Sequence, residues 1–255
     1  MRRLGIAIVT YNREKILAET ISRIREFTTG EYDLVVSDDG SADGTVAYCR
    51  KNNIPCITAP NSGIAANKNR GIYALLHYFN ADTILILEDD CQPEVRSWNE
   101  HWQSITERWQ HVCYGPVSTW PKEVIKAGTG TIDDPYRMAQ LTAQITGVTR
   151  EALNKVGYLS PLFAGYGHEH VEWTRRFAQA GYFEMDLFPC SNYGLHLAES
   201  GTFFNQAQVD KNYRILLKIV RRKMKFVKPW RHFWQKGNFI RTIKNSLTPQ
   251  RKDED

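Results

Sequence analysis

An alternation of strands and helices over the first 90 residues constrains the fold of this chain most. Short apolar runs typical of buried strands alternate with amphipathic helical segments. The predicted strands are 4–9, 33–37, 55–59 and 83–87, and the helices between them are 14–27, 45–51 and 65–79. This order predicts right-handed βαβ units and a mostly parallel sheet flanked by helices, which is an α/β fold.

Polar, turn-forming residues follow each of these four strands. They are residues 10–12, 38–41, 61–63 and 88–90. In open parallel sheets, ligands bind beyond the carboxyl ends of the strands. The four loops are therefore predicted to meet at one edge of the sheet and to form a single site.

The second half of the chain is less regular. Helices are predicted at 98–109 and 169–180, and strands at 112–117 and 144–149. Between these strands, residues 118–139 contain glycine and proline and are predicted to form a loop.

Composition places the chain among soluble globular proteins. It has 255 residues, of which 42% are hydrophobic and 24% are charged, enough for one large domain. No apolar run approaches the length of a membrane-spanning helix. The five cysteines form no CxxC pair, which favours a reducing compartment and hence a cytoplasmic location.

The charge of the chain is unevenly distributed. Residues 211–255 hold 14 Lys and Arg against three acids, which is a net charge of +11. Since the whole chain carries +5, the first 210 residues carry −6. We expect a domain at 1–205 and a basic, helical, aromatic-rich extension at 206–255. Residues 211–245 have three candidate partners, which are an anionic membrane surface, the acidic body of the chain itself and, ranked last, nucleic acid. Binding to the membrane would place the protein on its inner face.

Three acids, Glu88, Asp89 and Asp90, directly follow the predicted strand at 83–87. Carboxylates crowded at a buried strand end repel one another and lose hydration. A divalent cation relieves this conflict, and hard oxygen ligands suit Mg²⁺ or Mn²⁺. The alternative is an acidic loop in solvent.

Five segments, taken in order, resemble the family 2 glycosyltransferases with the GT-A fold. AIVTYNRE resembles the first strand and nucleotide loop of that family, and VVSDDGSADGT resembles its DDGS signature. NSGIAANKNRGI, ILILEDD and ITGVTREALNKVGYLSPLFAGYGHEHVEW resemble its Asn-Gly segment, its DxD strand and its acceptor-side segment. The resemblance covers about residues 4–200 and implies a GT-A-like single domain that uses a nucleotide-sugar donor, most often a UDP-sugar.

The resemblance also implies roles for particular residues. Asp38 would contact the base, Asp39 the ribose, Lys68 a phosphate, and Glu88 the ribose or sugar. The metal ligands would be Asp90 and His196. The complete implied donor set is Thr10, Tyr11, Arg13, Asp38, Asp39, Asn61, Gly63, Lys68, Glu88 and Asp89.

Each of these roles has a structural alternative. The residues after the first strand would cap a helix, and Asp38 would close an Asx-turn. Lys68 would be an exposed lysine on a helix surface, and His196 a buried core histidine.

The cluster Gly167–Glu172 supplies the candidate catalytic base. Relatives have Gly-Glu-Asp here, whereas this chain has His170 at the Asp position. Glu169 is the first candidate for the base and His170 the second. Acids that stabilise a helix N-terminus are the alternative.

The predicted reaction is metal-dependent transfer of a sugar to a hydroxyl of a glycan or glycolipid, in surface polysaccharide or glycoconjugate synthesis. Inversion at the anomeric carbon is expected, and retention stays open because the usual Asp is absent. Two other functions stay open. A nucleotidyltransferase would be expected to carry a glycine-rich phosphate loop after the first strand, and VTYNRE has no glycine. A non-catalytic nucleotide- or glycan-binding module is the second, because His170 replaces the usual acid.

Overall fold

A large mixed sheet forms the centre of the protein. The structure, a computed structural model, describes residues 2–117, 122–199, 205–222, 224–231 and 233–248. Its strands are β1 (Leu4–Thr10), β2 (Tyr32–Asp38), β3 (Cys56–Thr58), β4 (Thr83–Glu88), β5 (Cys91–Pro93), β6 (His111–Tyr114), β7 (Ile125–Ala127), β8 (Tyr136–Met138), β9 (Ile145–Thr149), β10 (Phe188–Ser191) and β11 (Leu195–Leu197). Within these ranges, nine strands pair in the order β3-β2-β1-β4-β9-β6-β10-β8-β7, and β11 pairs with β5 separately.

The register of the sheet places three strand ends at one edge. β1 lies between β2 and β4 and is parallel to both, with Thr10 opposite Asp38 and Val9 opposite Glu88. Of the nine strands in the described sheet, only β9 and β8 run against the others. The sheet is therefore mostly parallel, as predicted, and the polar residues after β1, β2 and β4 are neighbours.

Helices cover both faces of the sheet. They are α1 (Glu14–Phe27), α2 (Thr45–Lys51), α3 (Ile64–His77), α4 (Trp98–Trp109), α5 (Arg150–Val156), α6 (Glu169–Gln179), α7 (Gln206–Arg221) and α8 (Phe233–Leu247). Ala7 and Val9 face a core shared with α3, α5, α6 and α8. Ile6 and Ile8, alternate residues on β1, face a second core shared with α1 and α4.

The predicted segments in the first half of the chain agree with these elements to within a few residues. The prediction of a loop over 118–139 was wrong, because β7 and β8 form an antiparallel pair there and extend the sheet beyond β10. Residues 118–121 of that segment lie outside the described residues. A 3₁₀ turn at Lys122–Val124 precedes β7.

The basic extension packs on the body of the protein. Ile243 of α8 is fully buried, and the rings of Trp230 and Phe239 lie edge-on to Tyr73 with centroids 5.5 and 5.4 Å away. On α7, the buried Asn212 donates to the carbonyl oxygens of Ala164 and Tyr166, both at 2.9 Å. The described part of the extension therefore packs on the body of the chain, which was the second of the three candidate partners. Residues 223, 232 and 249–255 lie outside it.

None of the described helices is both long and apolar enough to cross a membrane. The five cysteines are free thiols.

Candidate active site

The acids after β4 are bound to the loop after β1. Thr10 Oγ1 donates to Asp89 Oδ2 at 2.7 Å. One guanidinium nitrogen of Arg13 donates to Asp89 Oδ1 and to Asp90 Oδ2, both at 3.0 Å. Arg13, Asp89 and Asp90, all predicted site residues, thus form one charged cluster, to which Thr20 adds a hydrogen bond to the Asp89 carbonyl.

Burial dominates the electrostatics of this cluster. It raises the pKa of Asp89 to about 6, although the Thr10 hydroxyl and the Arg13 charge oppose it. Burial also raises the pKa of Glu88, opposed by the charge of Lys68. A raised carboxyl pKa means that the ionised form lacks part of the solvation it would have in water, so a further cation would be stabilised here.

Lys68 is held inside the protein by oxygen atoms. Its ammonium lies 3.1 Å from Glu88 Oε1 and 3.2 Å from the carbonyl oxygen of Ala143, and the side chain is 1% exposed. The alternative of an exposed lysine on a helix surface was therefore wrong. Its charge is directed towards the carboxylates at the end of β4.

The carboxylate of Asp38 closes a turn of the main chain. It accepts hydrogen bonds from the amides of Gly40 and Ser41 and from Thr58 Oγ1 at 2.6 Å, and the residue is fully buried. This is the Asx-turn that was the alternative for this residue. The predicted contact of Asp38 with a base stays a prediction.

Asp39 connects β2 to the start of α3. Its carboxylate accepts hydrogen bonds from the amides of Ser62 and Gly63, at 3.1 and 2.9 Å, and forms an ion pair with Arg70 at 2.5 Å. Both charged side chains are about 5% exposed. Asp39 thus fixes the loop that precedes α3.

Gly63 brings the acceptor-side segment close to the donor loops. Its φ of +87° suits glycine, and a Cβ there would lie 2.7 Å from the amide nitrogen of Gly165. The amide of Ile64 donates to the Gly165 carbonyl at 3.0 Å. Asn61, two residues earlier, is exposed on the same loop. The role of Gly63 that the structure shows is close packing of two backbones.

Glu169 is a buried carboxylate at the start of α6. It is 3% exposed, and His170 Nδ1 lies 3.2 Å from its Oε1. Burial alone would raise the pKa of Glu169, but the hydrogen bond and charge of His170, together with the charge of Lys68, lower it to about 2. Glu169 Oε2 has no hydrogen-bond partner among the described residues.

Charge interactions connect Glu169 to the acids after β4. The charge of Glu169 raises the pKa of Glu88, and that of Lys68 lowers the pKa of both glutamates. Lys68 is therefore a cation shared by the β4 end and the start of α6. The structure brings these two predicted parts of the site together.

Two predicted residues lie further out. The Tyr11 ring is 46% exposed beside the β1 loop. His196 lies on β11 opposite Gln92, and its Nδ1 is 3.6 Å from Glu94 Oε2. Directly after β11, the amide of Ala198 donates to the Asp90 carbonyl at 2.8 Å. His196 is partly exposed rather than buried in the core, and its role as a metal ligand stays a prediction.

The residues present suit a divalent cation that is shared with a substrate. Asp90 and its neighbours offer the hard oxygen donors that Mg²⁺ and Mn²⁺ prefer. Among the described residues, no group of three His, Cys, Asp or Glu side chains lies close enough to hold a metal alone. Such a cation would complete its coordination with water and phosphate oxygens, as Mg²⁺ commonly does.

Apart from Lys68, the buried polar residues at the start of α3 were not predicted from the sequence. Asn67, Lys68, Asn69 and Arg70 are each less than 5% exposed. Arg70 pairs with Asp39, and Asn67 donates to the Thr10 carbonyl at 3.3 Å. The local pattern gave no signal for this burial, because an amphipathic surface helix would place part of such a polar run in solvent.

Solved structures of glycosyltransferases share this fold. A mannosyltransferase from Pyrobaculum calidifontis, solved with GDP-Man and Mn²⁺, is 14% identical over 96% of this chain and 74% of its own, with a TM-score of 0.63. GalNAc-T7, solved with UDP, GalNAc and Mn²⁺, is 15% identical over 86% of this chain and 48% of its own, with a TM-score of 0.61.

Glucosyl-3-phosphoglycerate synthase from Mycobacterium tuberculosis is 14% identical over 86% of this chain and 77% of its own, with a TM-score of 0.54. At these identities the likeness concerns the fold, which is the GT-A fold of glycosyltransferases.

The sequence itself gives the family. The model described as "Glycosyl transferase family 2" matches residues 5–150, which is more than half of the chain. The chain belongs to this family and is a glycosyltransferase. None of the curated proteins matches its sequence.

Proposed function

We propose that the chain transfers a sugar from a nucleotide-diphosphate donor, with UDP as the first candidate, to a hydroxyl of a glycan or lipid-linked acceptor, with inversion at the anomeric carbon. The observation that carries the proposal is the convergence of three charged groups at one sheet edge. These are the cluster of Arg13 with Asp89 and Asp90, the buried Lys68–Glu88 pair, and the carboxylate of Glu169.

The donor would lie over the ends of β1, β2 and β4. The exposed ring of Tyr11 is available to stack on a base, and Asn61 offers an exposed amide on the neighbouring loop. Asp39 holds the loop at Gly63 in place through Ser62 and Gly63, which keeps the pocket shaped before the donor binds. The three similar structures described above contain GDP-Man, UDP with GalNAc, and UDP with glucosyl-3-phosphoglycerate, each together with Mn²⁺.

Asp90 is the residue of this chain that would hold Mn²⁺ or Mg²⁺, with His196 as the second predicted ligand. The cation would neutralise charge on the departing diphosphate. Arg13 already bridges Asp89 and Asp90, and its position beside them makes it a second positive charge for the same phosphates.

Glu169 would accept the proton of the acceptor hydroxyl. As the acceptor oxygen bonds to the anomeric carbon, the bond from that carbon to the diphosphate oxygen breaks, and the proton passes to Glu169. A pKa of about 2 keeps Glu169 ionised at neutral pH, and its buried Oε2 has no hydrogen-bond partner among the described residues. His170 orients the carboxylate through the 3.2 Å contact.

The biological setting proposed is synthesis of a surface polysaccharide or glycoconjugate on the cytoplasmic side of a membrane. The basic surface of residues 211–245 supports a peripheral position there, because cationic amphipathic helices bind anionic lipid. Exposed apolar residues Tyr213, Leu217 and Val220 lie along α7 among its cations.

A thermal-shift panel of nucleotide sugars tests the proposed donor. Each would be measured with Mn²⁺, with Mg²⁺ and with chelator. A ligand at 100 times its dissociation constant stabilises the folded state by about 2.7 kcal/mol, so the true donor should raise the melting temperature only when a divalent cation is present. A panel without any cation-dependent shift would contradict the proposal.

Glu169→Gln tests the base. This variant should bind the donor with normal affinity and lose transfer by about 10²–10⁴-fold. Glu151→Gln, an exposed glutamate on α5, is the matched control and should transfer normally. If Glu169→Gln transferred normally and His170→Gln did not, His170 would be the base instead.

A further inference from the structure

A large cavity lies between α7 and the segment 224–231. Its volume is about 1110 Å³, slightly above the ~300–1000 Å³ typical of small-molecule sites. Ile215 and Ile219 of α7 line one side, and Phe226 and Trp230 line another. None of the residues assigned above to donor, metal or proton transfer lines it.

The cavity is strongly positive. Six cations line it: Lys218, Arg222, Lys225, Lys228, Arg231 and Lys236. Among the described residues, none of the six forms an ion pair, and Lys236 lies over the Trp230 ring at 5.6 Å. All six side chains are exposed, so an anionic ligand can reach and pair with them.

The one acid that lines the cavity is already paired. Glu172 is 1% exposed and bonds to Arg176 at 2.9 Å, and both side chains are buried. Burial raises the pKa of Glu172, while the charges of Arg176 and Arg231 lower it. Since Arg176 meets the Glu172 carboxylate directly, the other cations stay available to a ligand.

The walls between the cations are apolar. Besides the two isoleucines and Trp230, Leu162 and Phe226 face the cavity, and they are 40% and 51% exposed. Exposed large apolar side chains in a concave site favour an apolar part of a ligand. Lysine and arginine together are typical of phosphate binding. The chemistry that fits is therefore an apolar chain that carries phosphate.

The cavity adjoins the candidate catalytic residue. Glu172 and Glu169 lie three residues apart on α6, which puts them on one helix face with Cβ atoms about 5–6 Å apart. Ser160 and Leu162, on the loop that leads to Gly165 and the donor site, also line it. A ligand with its phosphate in the cavity would thus present its other end near Glu169.

We infer that this cavity binds the phosphate or diphosphate of a lipid-linked acceptor and so orients the acceptor hydroxyl towards Glu169. The inference rests on the proposed function, because it names the acceptor of the same reaction. It assigns the six cations that line the cavity to acceptor recognition and leaves the other cations of residues 211–245 to the proposed membrane contact.

Binding of farnesyl diphosphate to the full chain tests this inference. Titration would be made with saturating UDP and Mn²⁺, so that the donor site is not open to the diphosphate. We expect farnesyl diphosphate to bind, and farnesol and inorganic diphosphate to bind at least about tenfold more weakly, which corresponds to about 1.4 kcal/mol. Equal affinity for inorganic diphosphate would overturn a ligand with an apolar chain.

Paired charge-reversal variants locate the site. Arg222→Glu with Lys225→Glu should weaken farnesyl diphosphate binding by more than tenfold, about 1.4 kcal/mol or more. Arg241→Glu with Lys244→Glu makes the same change of charge on α8 outside the cavity and should leave binding unchanged. All four side chains are exposed, so the folded state should survive, and Arg222→Gln with Lys225→Gln is the milder form. Equal binding by both pairs would overturn the inference.

Vesicles and donor binding separate the remaining outcomes. If the cavity variant lost vesicles of phosphatidylglycerol but kept farnesyl diphosphate, the cations would serve a membrane surface and the inference would be wrong. Nucleotide-sugar binding should be the same in wild type and in both variants. Its absence from all three, with farnesyl diphosphate still bound, would overturn the proposed function and not the cavity.

Discussion

The two acidic strand ends, at β2 and β4, look alike in sequence and differ in structure. Asp38 accepts hydrogen bonds from main-chain amides of its own loop, and Asp39 from the amides of Ser62 and Gly63 on the loop before α3. Asp39 also pairs with Arg70. Asp89 and Asp90 bind the guanidinium of a long, partly exposed side chain, Arg13. The first pair therefore builds the framework of the loops, whereas the second is a charged cluster that a ligand or cation can enter by competing with Arg13.

The largest expected effect comes from removing the charge of Asp39, one of the two framework residues at the end of β2. Asp39→Asn leaves the buried guanidinium of Arg70 without its partner, so the free energy of unfolding should fall by about 3–5 kcal/mol. Urea unfolding measures it. Asp133→Asn is the control, because its partner Arg108 is exposed and such surface pairs contribute about 0–1 kcal/mol. A similarly small loss for Asp39→Asn would show that Asp39 is not part of the framework.

The pH dependence of stability sharpens the description of the β4 end. The pKa of Asp89 is raised to about 6 from 3.8, so the folded state binds its proton more tightly than the unfolded state does. The ionised form of Asp89 therefore costs stability, and this cost appears as the pH rises from about 4 to about 6.

Asp89→Asn removes this titration. The stability of the variant relative to wild type should rise by about 2–3 kcal/mol between pH 4 and pH 7, since one pKa unit is worth about 1.4 kcal/mol. Urea denaturation of both proteins at pH 4 and pH 7, with chelator present, measures the change. A loss of hydrogen bonds that is the same at both pH values cancels from this difference. A stability difference that does not vary with pH would contradict the raised pKa.

The smallest predicted effect concerns the cation that the β4 end shares with α6. Lys68→Gln keeps a donor for the Ala143 carbonyl and removes a charge that, after the hydrogen bond and charge of His170, lowers the pKa of Glu169. The acidic limb of the pH–rate profile should move to higher pH by about one unit, since a neighbouring opposite charge shifts a carboxyl pKa by about 1–3 units. Lys155→Gln, which removes a cation bonded to Ala180, should not move it. If the acidic limb of Lys68→Gln stayed at the wild-type pH, the charge of Lys68 would have no effect on the pKa of Glu169.

Most of the first half of the fold could be predicted because each element has a strong local pattern. LGIAIV forms a buried strand wherever it lies in a sheet, and the residues after it must be polar and turn-forming. The strands β7 and β8 were missed because each is three residues long, and because β8 joins the sheet by pairing with β10, about 50 residues later in the chain. A strand of that length has no periodicity to detect.

The motifs indicated several residues that the structure places close together, but they did not indicate which of these residues contact one another. The sequence motifs indicated Lys68 and Glu169, yet the shared charge interaction depends on how α3 and α6 pack. Arg70 gave no motif of its own, and its partner Asp39 lies 31 residues away. Such pairs depend on tertiary contacts that a local pattern does not contain.

Calorimetric titration of UDP-sugar into wild type and Asp90→Asn, each with Mn²⁺ and with chelator, tests the central claim most directly. The claim predicts tight binding only to wild type with Mn²⁺, and a loss of at least about tenfold, or about 1.4 kcal/mol, in Asp90→Asn with unchanged melting temperature. Equal, cation-independent binding to both proteins would contradict it.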